Sequence, residues 1–340
     1  MAARIKDIAK RADVSEATVS LVLNQKPGVS VPTRERVLKI ARDMDYGANQ
    51  RQLFTSRTGT IRFLKIAMHG HTVNRDHTVF IADYIDGLTR GANSVGFALE
   101  INSFRGSSAE EIANTVQQDG LKGVVILGTE LTEGDIELFG RLSIPKVFLD
   151  TYYDFLPYDF VDMNNKDSIY TIIRHLLESN HREIGFVRSS VNTHNFYLRD
   201  TGFWDAVDAL KLSIRERDIF TVDSTFQGAY DDMVKQLSGR QKLPTALVCT
   251  NDIISYGVIK ALKERGYRVP QDVSVVGFDD LPFSAVMEPP LTTIQVSKKK
   301  MGETAMQLLS NRIDREGEGP AVKIQVGGNL VVRESVQRLD

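Results

Sequence analysis

The first 24 residues read MAARIKDIAKRADVSEATVSLVLN, from Met1 to Asn24, and hold two short helical patterns separated by a tight break. In the first pattern, residues 5–12, apolar side chains recur at helical spacing on one face. Ser15 precedes the second pattern, residues 16–24, and its hydroxyl can cap the new helix. Two short helices joined by such a turn form a helix-turn-helix, whose second helix can enter the major groove of DNA. This stretch therefore predicts a chain that binds DNA.

The distribution of charge agrees with a separate DNA-binding head. The formal net charge is −2, but residues 1–60 hold eleven Lys and Arg against six Asp and Glu, so the head carries +5 and the remainder −7. A basic segment on an acidic body is typical of a DNA-binding module attached to a domain that does not bind DNA. Taken alone, an excess of this size lies within ordinary variation.

Length and composition predict a multidomain protein of the cytoplasm. The chain has 340 residues, of which 42% are hydrophobic, enough for more than one core. No run approaches the roughly 20 apolar residues of a membrane span, and charges stand where a signal peptide is apolar. The single cysteine, Cys249, cannot form an internal disulfide, which fits a reducing compartment. We expect no contact with a membrane.

The remainder of the chain alternates between strand and helix patterns. A third helix is predicted over residues 32–44, with Pro32 in its first turn, and residues 48–60 are predicted to be a linker or a marginally stable helix. Strands are predicted over residues 63–68, 98–101, 124–127, 146–149, 184–187, 246–249, 273–276 and 293–296. Helices are predicted over residues 81–95, 110–118, 169–179, 201–210, 229–237, 255–265 and 299–312. Such alternation predicts parallel sheets with helices on both faces, and its length favours two α/β lobes with ligands bound beyond the carboxyl ends of strands.

Seven motifs, in this order and spacing, resemble the lactose-repressor/galactose-repressor (LacI/GalR) family of bacterial transcription regulators. They are IKDIA (5–9), VPTRERV (31–37), RDTGF (199–203), PTALVCTND (244–252), DVSVVGFDD (272–280), PLTTI (290–294) and LVVRES (330–335). The resemblance covers nearly the whole chain. It implies an α/β protein with an all-α helix-turn-helix headpiece (1–47), a hinge or linker (48–60), and an effector-binding and dimerisation domain (61–340). That domain would comprise two doubly wound parallel α/β lobes like those of periplasmic binding proteins.

The resemblance places the start of the second helix, Glu16 and Ala17, against DNA bases. Glu16 either accepts a hydrogen bond from a cytosine amino group or serves as a carboxylate that favours a helix N-terminus. Ala17 can make only apolar contacts, for example with a thymine methyl group. Leu21 stands where the family often has an arginine, so a guanine preference at that position is in doubt. The full set of predicted DNA-binding residues is Lys6, Ser15, Glu16, Ala17, Thr18, Ser20, Leu21, Asn24, Arg34, Arg51 and Leu53.

Basic residues of the headpiece are candidates for phosphate contacts, which give salt-dependent affinity without sequence choice. They are Lys6, Lys10, Arg11, Lys26 and Arg34, and some of them are expected to be plain surface charges. In the hinge, Gln50–Leu53 stands for the family's Ala-Arg-x-Leu, but the usual proline is missing and the spacing is two residues shorter. Leu53 is the candidate minor-groove wedge, with Phe54 as the alternative. Either residue can instead be a packing residue of a different hinge.

Polar residues that follow strands are predicted to line the effector pocket. Arg199 and Asp279 match family positions that hold effector hydroxyls, and a planar donor fork beside an acceptor suits vicinal hydroxyls of a sugar. The alternative is that these two side chains pair only with each other. Asn251 and Asp150 are further pocket candidates. Asp252 is predicted to cap the helix that begins near residue 253.

The segment after the first strand departs from the family, whose members often continue with Asn-Pro-Phe-Phe. Here His69 and His71 are predicted at the pocket entrance, with Phe80 as a stacking surface. Asp223 occupies the region where an aromatic ring often stacks on the ligand, which argues for a more polar or charged effector. A plain surface loop is the comparable alternative for the histidines. No metal site is predicted, because no recognisable ligand spacing accompanies them.

These observations favour a ligand-responsive, sequence-specific repressor controlled by a sugar or sugar acid. A two-fold homodimer on a near-palindromic double-stranded operator is expected. A sugar-binding module without gene control is the alternative, against which the helix-turn-helix argues. An enzyme is disfavoured, since no glycine-rich phosphate loop, nucleophile elbow or zinc motif is evident. No cofactor and no catalytic residue are predicted.

Overall fold

The computed structural model describes residues 5–23, 28–44, 59–117, 120–239 and 242–340. These fall into two compact units, a helical one up to Gly59 and an α/β one from Thr60 onward, with the short stretch Asn93–Ala98 grouped with the first. In the described residues, no helix is long and apolar enough to cross a bilayer.

The helical unit contains the two predicted helices and the third. They are α1 (Ile5–Ala12), α2 (Glu16–Leu23) and α3 (Val31–Asp43). The break between α1 and α2 closes through Val14 N, which donates to Ala9 O at 3.1 Å, and Asp13 takes a left-handed backbone with φ of 51°. One apolar cluster joins the three helices, and its buried members are Ile8, Ala9, Ala12, Val19, Val22, Val37 and Ala41. The predicted helix-turn-helix geometry is thus stabilised by a small core of its own.

The described strands of the α/β unit number twelve. They are β1 (Thr60–Ala67), β2 (Ala98–Arg105), β3 (Gly123–Leu127), β4 (Lys146–Leu149), β5 (Phe160–Met163), β6 (Ile184–Ser189), β7 (Ile219–Val222), β8 (Ala246–Cys249), β9 (Ser274–Val276), β10 (Thr293–Gln295), β11 (Lys323–Val326) and β12 (Asn329–Val331). The helices are α4 (Thr78–Val95), α5 (Ala109–Gln117), α6 (Glu133–Gly140), α7 (Asn165–Glu178), α8 (His194–Ala209), α9 (Phe226–Leu237), α10 (Asp252–Glu264) and α11 (Lys298–Asp314).

The strands form two separate sheets, as the sequence predicts. The first has the order β11-β5-β4-β3-β1-β2 and the second β7-β6-β8-β9, while β10 and β12 make a short antiparallel pair. The ladders from β1 through β3, β4 and β5 to β11 are parallel, and so are all three ladders of the second sheet. We call the part built on the first sheet lobe 1 and the part built on the second sheet lobe 2. The chain passes between the lobes after β5, between β10 and α11, and between β11 and β12.

Five elements of this unit were not predicted from the sequence, namely α6, β5, β7, β11 and β12. Four of them are strands of three or four residues, and a polar residue interrupts the apolar run in β5, β7 and β11. Parallel strands of both sheets point their carboxyl ends at one edge of each lobe. Polar side chains that follow those ends therefore lie together.

Candidate DNA-binding face and ligand cleft

One face of α2 is open to solvent and carries four of the predicted DNA-binding residues. Glu16 and Ala17 are exposed, whereas Ser20 and Leu21 are half-buried. Residues spaced in this way share one side of a helix. Val19 and Val22 occupy the opposite side and pack into the core. The helix therefore offers a narrow face with one carboxylate, one hydroxyl and two apolar groups.

Ser15 caps α2 as its position predicts. The backbone N–H of Thr18 donates to Ser15 Oγ at 3.1 Å, and the two hydroxyls lie 2.9 Å apart. Lys6 is exposed on α1. Arg34 is half-buried and its guanidinium donates to Val22 O at 3.4 Å, so it contacts the C-terminal end of α2. The predicted residues Asn24, Lys26, Arg51, Leu53 and Phe54 lie outside the described residues.

A cavity lies between the two lobes of the α/β unit, and we call it the cleft cavity. Its lining comes from both lobes, with Thr72, Val73, His77, Phe80, Ile81, Thr129 and Asp150 from lobe 1 and Thr193, Asn195, Phe196, Arg199, Asn251 and Asp279 from lobe 2. Five predicted effector residues are thus brought together: Phe80, Asp150, Arg199, Asn251 and Asp279. The cavity measures about 40 Å³, which holds a few water molecules and is smaller than the roughly 300 Å³ or more of common ligand pockets.

Each lobe contributes one buried aspartate with a strained backbone. Asp150 follows β4 with φ of 64°, and Asp279 follows β9 with φ of 121°. Asp150 Oδ1 accepts from Tyr84 Oη at 2.9 Å and lies 3.2 Å from Asn195 Nδ2, while Oδ2 accepts from Thr129 Oγ1. Burial raises the pKa of Asp150 to about 6, although these hydrogen bonds oppose the shift. Strain of this kind is concentrated at functional sites.

Asp279 has a carboxylate oxygen that accepts no hydrogen bond from the residues that the structure describes. This oxygen, Oδ1, lies 3.5 Å from a terminal nitrogen of Arg199, both side chains being 4% exposed. Burial raises the pKa of Asp279 to about 6, partly offset by the charges of Arg199 and Lys298. Asp279 and Arg199 therefore form an ion pair with each other and also face the cavity, which leaves an acceptor for a ligand hydroxyl or amine.

Arg199 is fixed by several partners. Its Nε donates to Asn165 Oδ1 and one terminal nitrogen donates to Thr250 O, each at 2.9 Å. The guanidinium carbon also lies 3.8 Å from the ring centre of Phe278. These contacts hold the planar donor group in one orientation, since each donor direction of a guanidinium is fixed by the others.

Asn251, rather than the predicted Asp252, caps α10. The backbone N–H of Ile254 donates to Asn251 Oδ1 at 2.9 Å, so the prediction of Asp252 as the cap was wrong. The cap orients the Asn251 amide nitrogen toward His77 Nε2, 3.3 Å away. Asp252 is instead the first helical residue, and its carboxylate accepts from Leu281 N and two hydroxyls.

Three predicted effector residues, His69, His71 and Asp223, do not line the cleft cavity. His71 Nδ1 lies 3.4 Å from Asp223 Oδ2, which is a contact between the lobes. His69 Nδ1 lies 3.4 Å from Glu130 Oε1. In the described part of the chain, no cluster of three or more His, Cys, Asp or Glu side chains has the geometry of a metal site.

Other residues that line the cavity were not predicted from the sequence, chiefly His77, Thr129, Asn195 and Phe196. Asn195 precedes Arg199 by four residues and so shares its helix face, a signal that the sequence contained. His77 belongs to the same histidine-rich segment as His69 and His71. Burial lowers its pKa to about 4, so the ring is neutral at neutral pH.

Two family models match the chain. Residues 4–49 match the model described as bacterial regulatory proteins, lacI family. Residues 173–336 match the model of a periplasmic binding protein-like domain. The first match contains α1, α2 and α3, and the second begins within α7 and contains the whole lobe 2 sheet together with α11 and β11.

Curated relatives match over nearly their whole length. The HTH-type transcriptional repressor PurR of Haemophilus influenzae (strain KW20 / Rd) is 31% identical over 345 residues, covering 99% of each chain. The HTH-type transcriptional repressor PurR of Pasteurella multocida (strain Pm70) is 30% identical over 341 residues, covering 98% of this chain and 99% of the relative.

Solved structures share the fold at lower identity. The transcriptional regulator CelR in complex with cellobiose has a TM-score of 0.72 and 23% identity, covering 98% of this chain and 99% of that one. The lac repressor dimer bound to operator and the anti-inducer ONPF has a TM-score of 0.71 and 22% identity, covering 99% and 100%. These likenesses concern the fold of the chain.

Proposed function

Since the chain belongs to the lacI family of bacterial regulatory proteins, we propose that it is a repressor that a small sugar or sugar acid controls. As a member of that family it is a DNA-binding transcription regulator with a ligand-binding domain. The further parts of the proposal are a homodimer in the cytoplasm, a near-palindromic operator, and no catalytic activity.

The observation that carries the proposed ligand class is the meeting of Arg199, Asp279 and Asp150 on one cavity. The guanidinium supplies donors, Asp279 Oδ1 is an acceptor without a hydrogen bond from the described residues, and Phe80 and Phe196 supply apolar surface. The hydroxyl groups at the edge of a sugar ring can bond to these donors and acceptors, and the faces of the ring can pack on the aromatic surface. The buried carboxylates favour a ligand that donates hydrogen bonds.

The proposed DNA contacts follow from the open face of α2. Glu16, Ala17, Ser20 and Leu21 are presented to a major groove, and Lys6 contacts phosphate. Thr18 and Ser15 bind each other and fix the start of the helix. Asn24, Arg34, Arg51 and Leu53 remain candidates, with Leu53 as the proposed wedge.

The regulation proposed here couples cleft closure to operator affinity. Because the cleft cavity is small, a sugar can bind only if the lobes separate or cavity side chains move. A ligand that binds one arrangement of the lobes more tightly shifts the protein toward it. Coupling of this kind changes DNA affinity by about 5- to 150-fold.

A thermal-shift screen tests the ligand class. Sugars and sugar acids are screened against the full-length protein, Asp279→Asn and the exposed control Asp205→Asn. We expect one compound class to raise the Tm of the wild type and the control. Its affinity should fall at least about tenfold in Asp279→Asn, because the acceptor loses its charge and a hydrogen bond to a charged group is stronger than one to a neutral group. Full retention of ligand stabilisation by Asp279→Asn would show that the pocket is misplaced.

A further inference from the structure

The segment that follows β1, residues 69–77, is held to lobe 1 by one buried carboxylate. Glu130 Oε2 accepts from the backbone N–H of His69 at 3.0 Å and of Gly70 at 2.9 Å. Its Oε1 accepts from Thr72 N at 2.8 Å, Thr72 Oγ1 at 2.9 Å and Val73 N at 2.6 Å. Five donors on one side chain that is 5% exposed fix the segment as a unit.

Glu130 remains a carboxylate despite its burial. Burial alone would raise its pKa, but the backbone N–H groups of the segment together outweigh that effect and lower it. Within the segment, Asn74 Nδ2 donates to His71 O at 2.8 Å, and Asn74 Oδ1 accepts from Asp76 N at 2.8 Å. The segment is therefore bonded internally as well as to Glu130.

The other side of the segment is fastened to lobe 2 at three points. Ser224 Oγ donates to His71 O at 3.0 Å, and His71 Nδ1 lies 3.4 Å from Asp223 Oδ2. The third contact joins His77 Nε2 and Asn251 Nδ2 at 3.3 Å. This last contact fixes the histidine tautomer, because Asn251 Oδ1 already accepts from Ile254 N. The amide nitrogen therefore donates, and Nε2 accepts as a neutral ring nitrogen.

The same segment forms one wall of the cleft cavity through Thr72, Val73 and His77. We propose that residues 69–77 are a strap that fastens the two lobes over the effector and limits it to a single sugar ring, with Glu130 as the positioning residue. The limit on ligand size rests on the proposed function, since it presupposes a sugar in the cleft. The attachment of the segment to both lobes does not depend on that function. A ligand with a second ring on this side would have to displace the strap from Asp223, Ser224 and Asn251.

Glu130→Gln tests the strap without changing side-chain size. Gln keeps one acceptor oxygen and turns an amide N–H₂ toward backbone donors, so the strap should detach from lobe 1. The matched control is Glu137→Gln, an exposed position on α6. Amide hydrogen exchange of the peptide spanning residues 69–77 should be slow in the wild type and the control, and at least about tenfold faster in Glu130→Gln.

The same three proteins are then titrated with glucose, galactose, ribose and gluconate and with cellobiose, lactose and sucrose. We expect the wild type to bind a monosaccharide and to reject disaccharides, and Glu130→Gln to weaken the monosaccharide and reduce the discrimination, each by about tenfold. The same exchange rate in all three proteins overturns the fastening, and a wild type that binds disaccharides at least as well as monosaccharides overturns the size limit. If no saccharide binds any variant, the proposed ligand class fails and the size limit with it, while the exchange experiment still decides the fastening.

Discussion

Arg199 joins α7, the turn after β8 and the turn after β9 through donors that point in fixed directions. Lysine at this position keeps the charge but cannot reach Asn165, Thr250 and Asp279 together. We expect Arg199→Lys to lower the free energy of unfolding by about 1.5–3 kcal/mol, the value of hydrogen bonds to a buried charged group, as measured by urea unfolding.

The control for this change is Arg174→Lys on α7. Arg174 lies 3.5 Å from Glu178 with both side chains exposed, and such pairs contribute well under about 1 kcal/mol. Equal losses in the two variants would show that the arginine geometry in the cleft has no special role.

The buried carboxyl group of Asp252 should make the stability of the fold depend on pH. Its carboxylate accepts from Leu281 N, Ser284 Oγ and Thr293 Oγ1 at 2.6–2.8 Å, yet burial raises its pKa to about 7. A raised folded-state pKa gives stability that is full below the unfolded value of about 3.9 and is lost as the pH rises through the folded value. We expect the free energy of unfolding to fall less steeply between pH 5 and pH 8 in Asp252→Asn than in the wild type.

The matched control is Asp205→Asn, at an exposed aspartate of α8. Chemical unfolding at four pH values measures all three proteins. A slope that Asp252→Asn does not alter would mean that this carboxylate is ionised in the fold and the unfolded chain alike over that range.

At the scale of the elements, α2 and α1 should contribute differently to DNA binding. Glu16→Ala on α2 should change the base preference at one position of each half-site by about 1–3 kcal/mol. Lys6→Ala on α1 should weaken binding to every duplex alike and reduce the salt slope by about 0.9 for each head. Selection from random duplexes at two salt concentrations measures both effects. If Glu16→Ala weakened binding to every duplex equally, the role of Glu16 would be to stabilise the helix N-terminus and not to contact a base.

The secondary-structure elements differ in how well they can be predicted from the sequence. α1 and α2 were predictable because their apolar residues repeat at helical spacing and Ser15 marks a cap. The long alternating pattern likewise predicted both parallel sheets. β5, β7 and β11 were not predicted, since Asp162, Thr221 and Gln325 interrupt their apolar runs, and β11 joins the lobe 1 sheet only after the chain has traversed lobe 2.

The ligand cleft shows which site residues can be predicted from the sequence and which cannot. Asp150, Asn251 and Asp279 could be named because they follow strand ends, and Arg199 and Asp279 because they match positions of the resembled family. The strap could not be recognised, because Glu130 is distant in sequence from the segment that it holds, and backbone N–H groups leave no mark on residue identity.

At the scale of the whole molecule, the central claim is that ligand binding in the cleft controls the affinity of the helix-turn-helix unit for DNA. The direct measurement is anisotropy of the full-length protein on its selected duplex against a scrambled competitor at moderate salt. It is made with and without the sugar that most raises the Tm, for the wild type and Asp279→Asn. We predict a preference of at least about 10³ for the selected duplex, changed about fivefold or more by the sugar in the wild type alone. Equal affinity of the wild type for both duplexes, or a preference that the sugar leaves unchanged in the wild type, would contradict this claim.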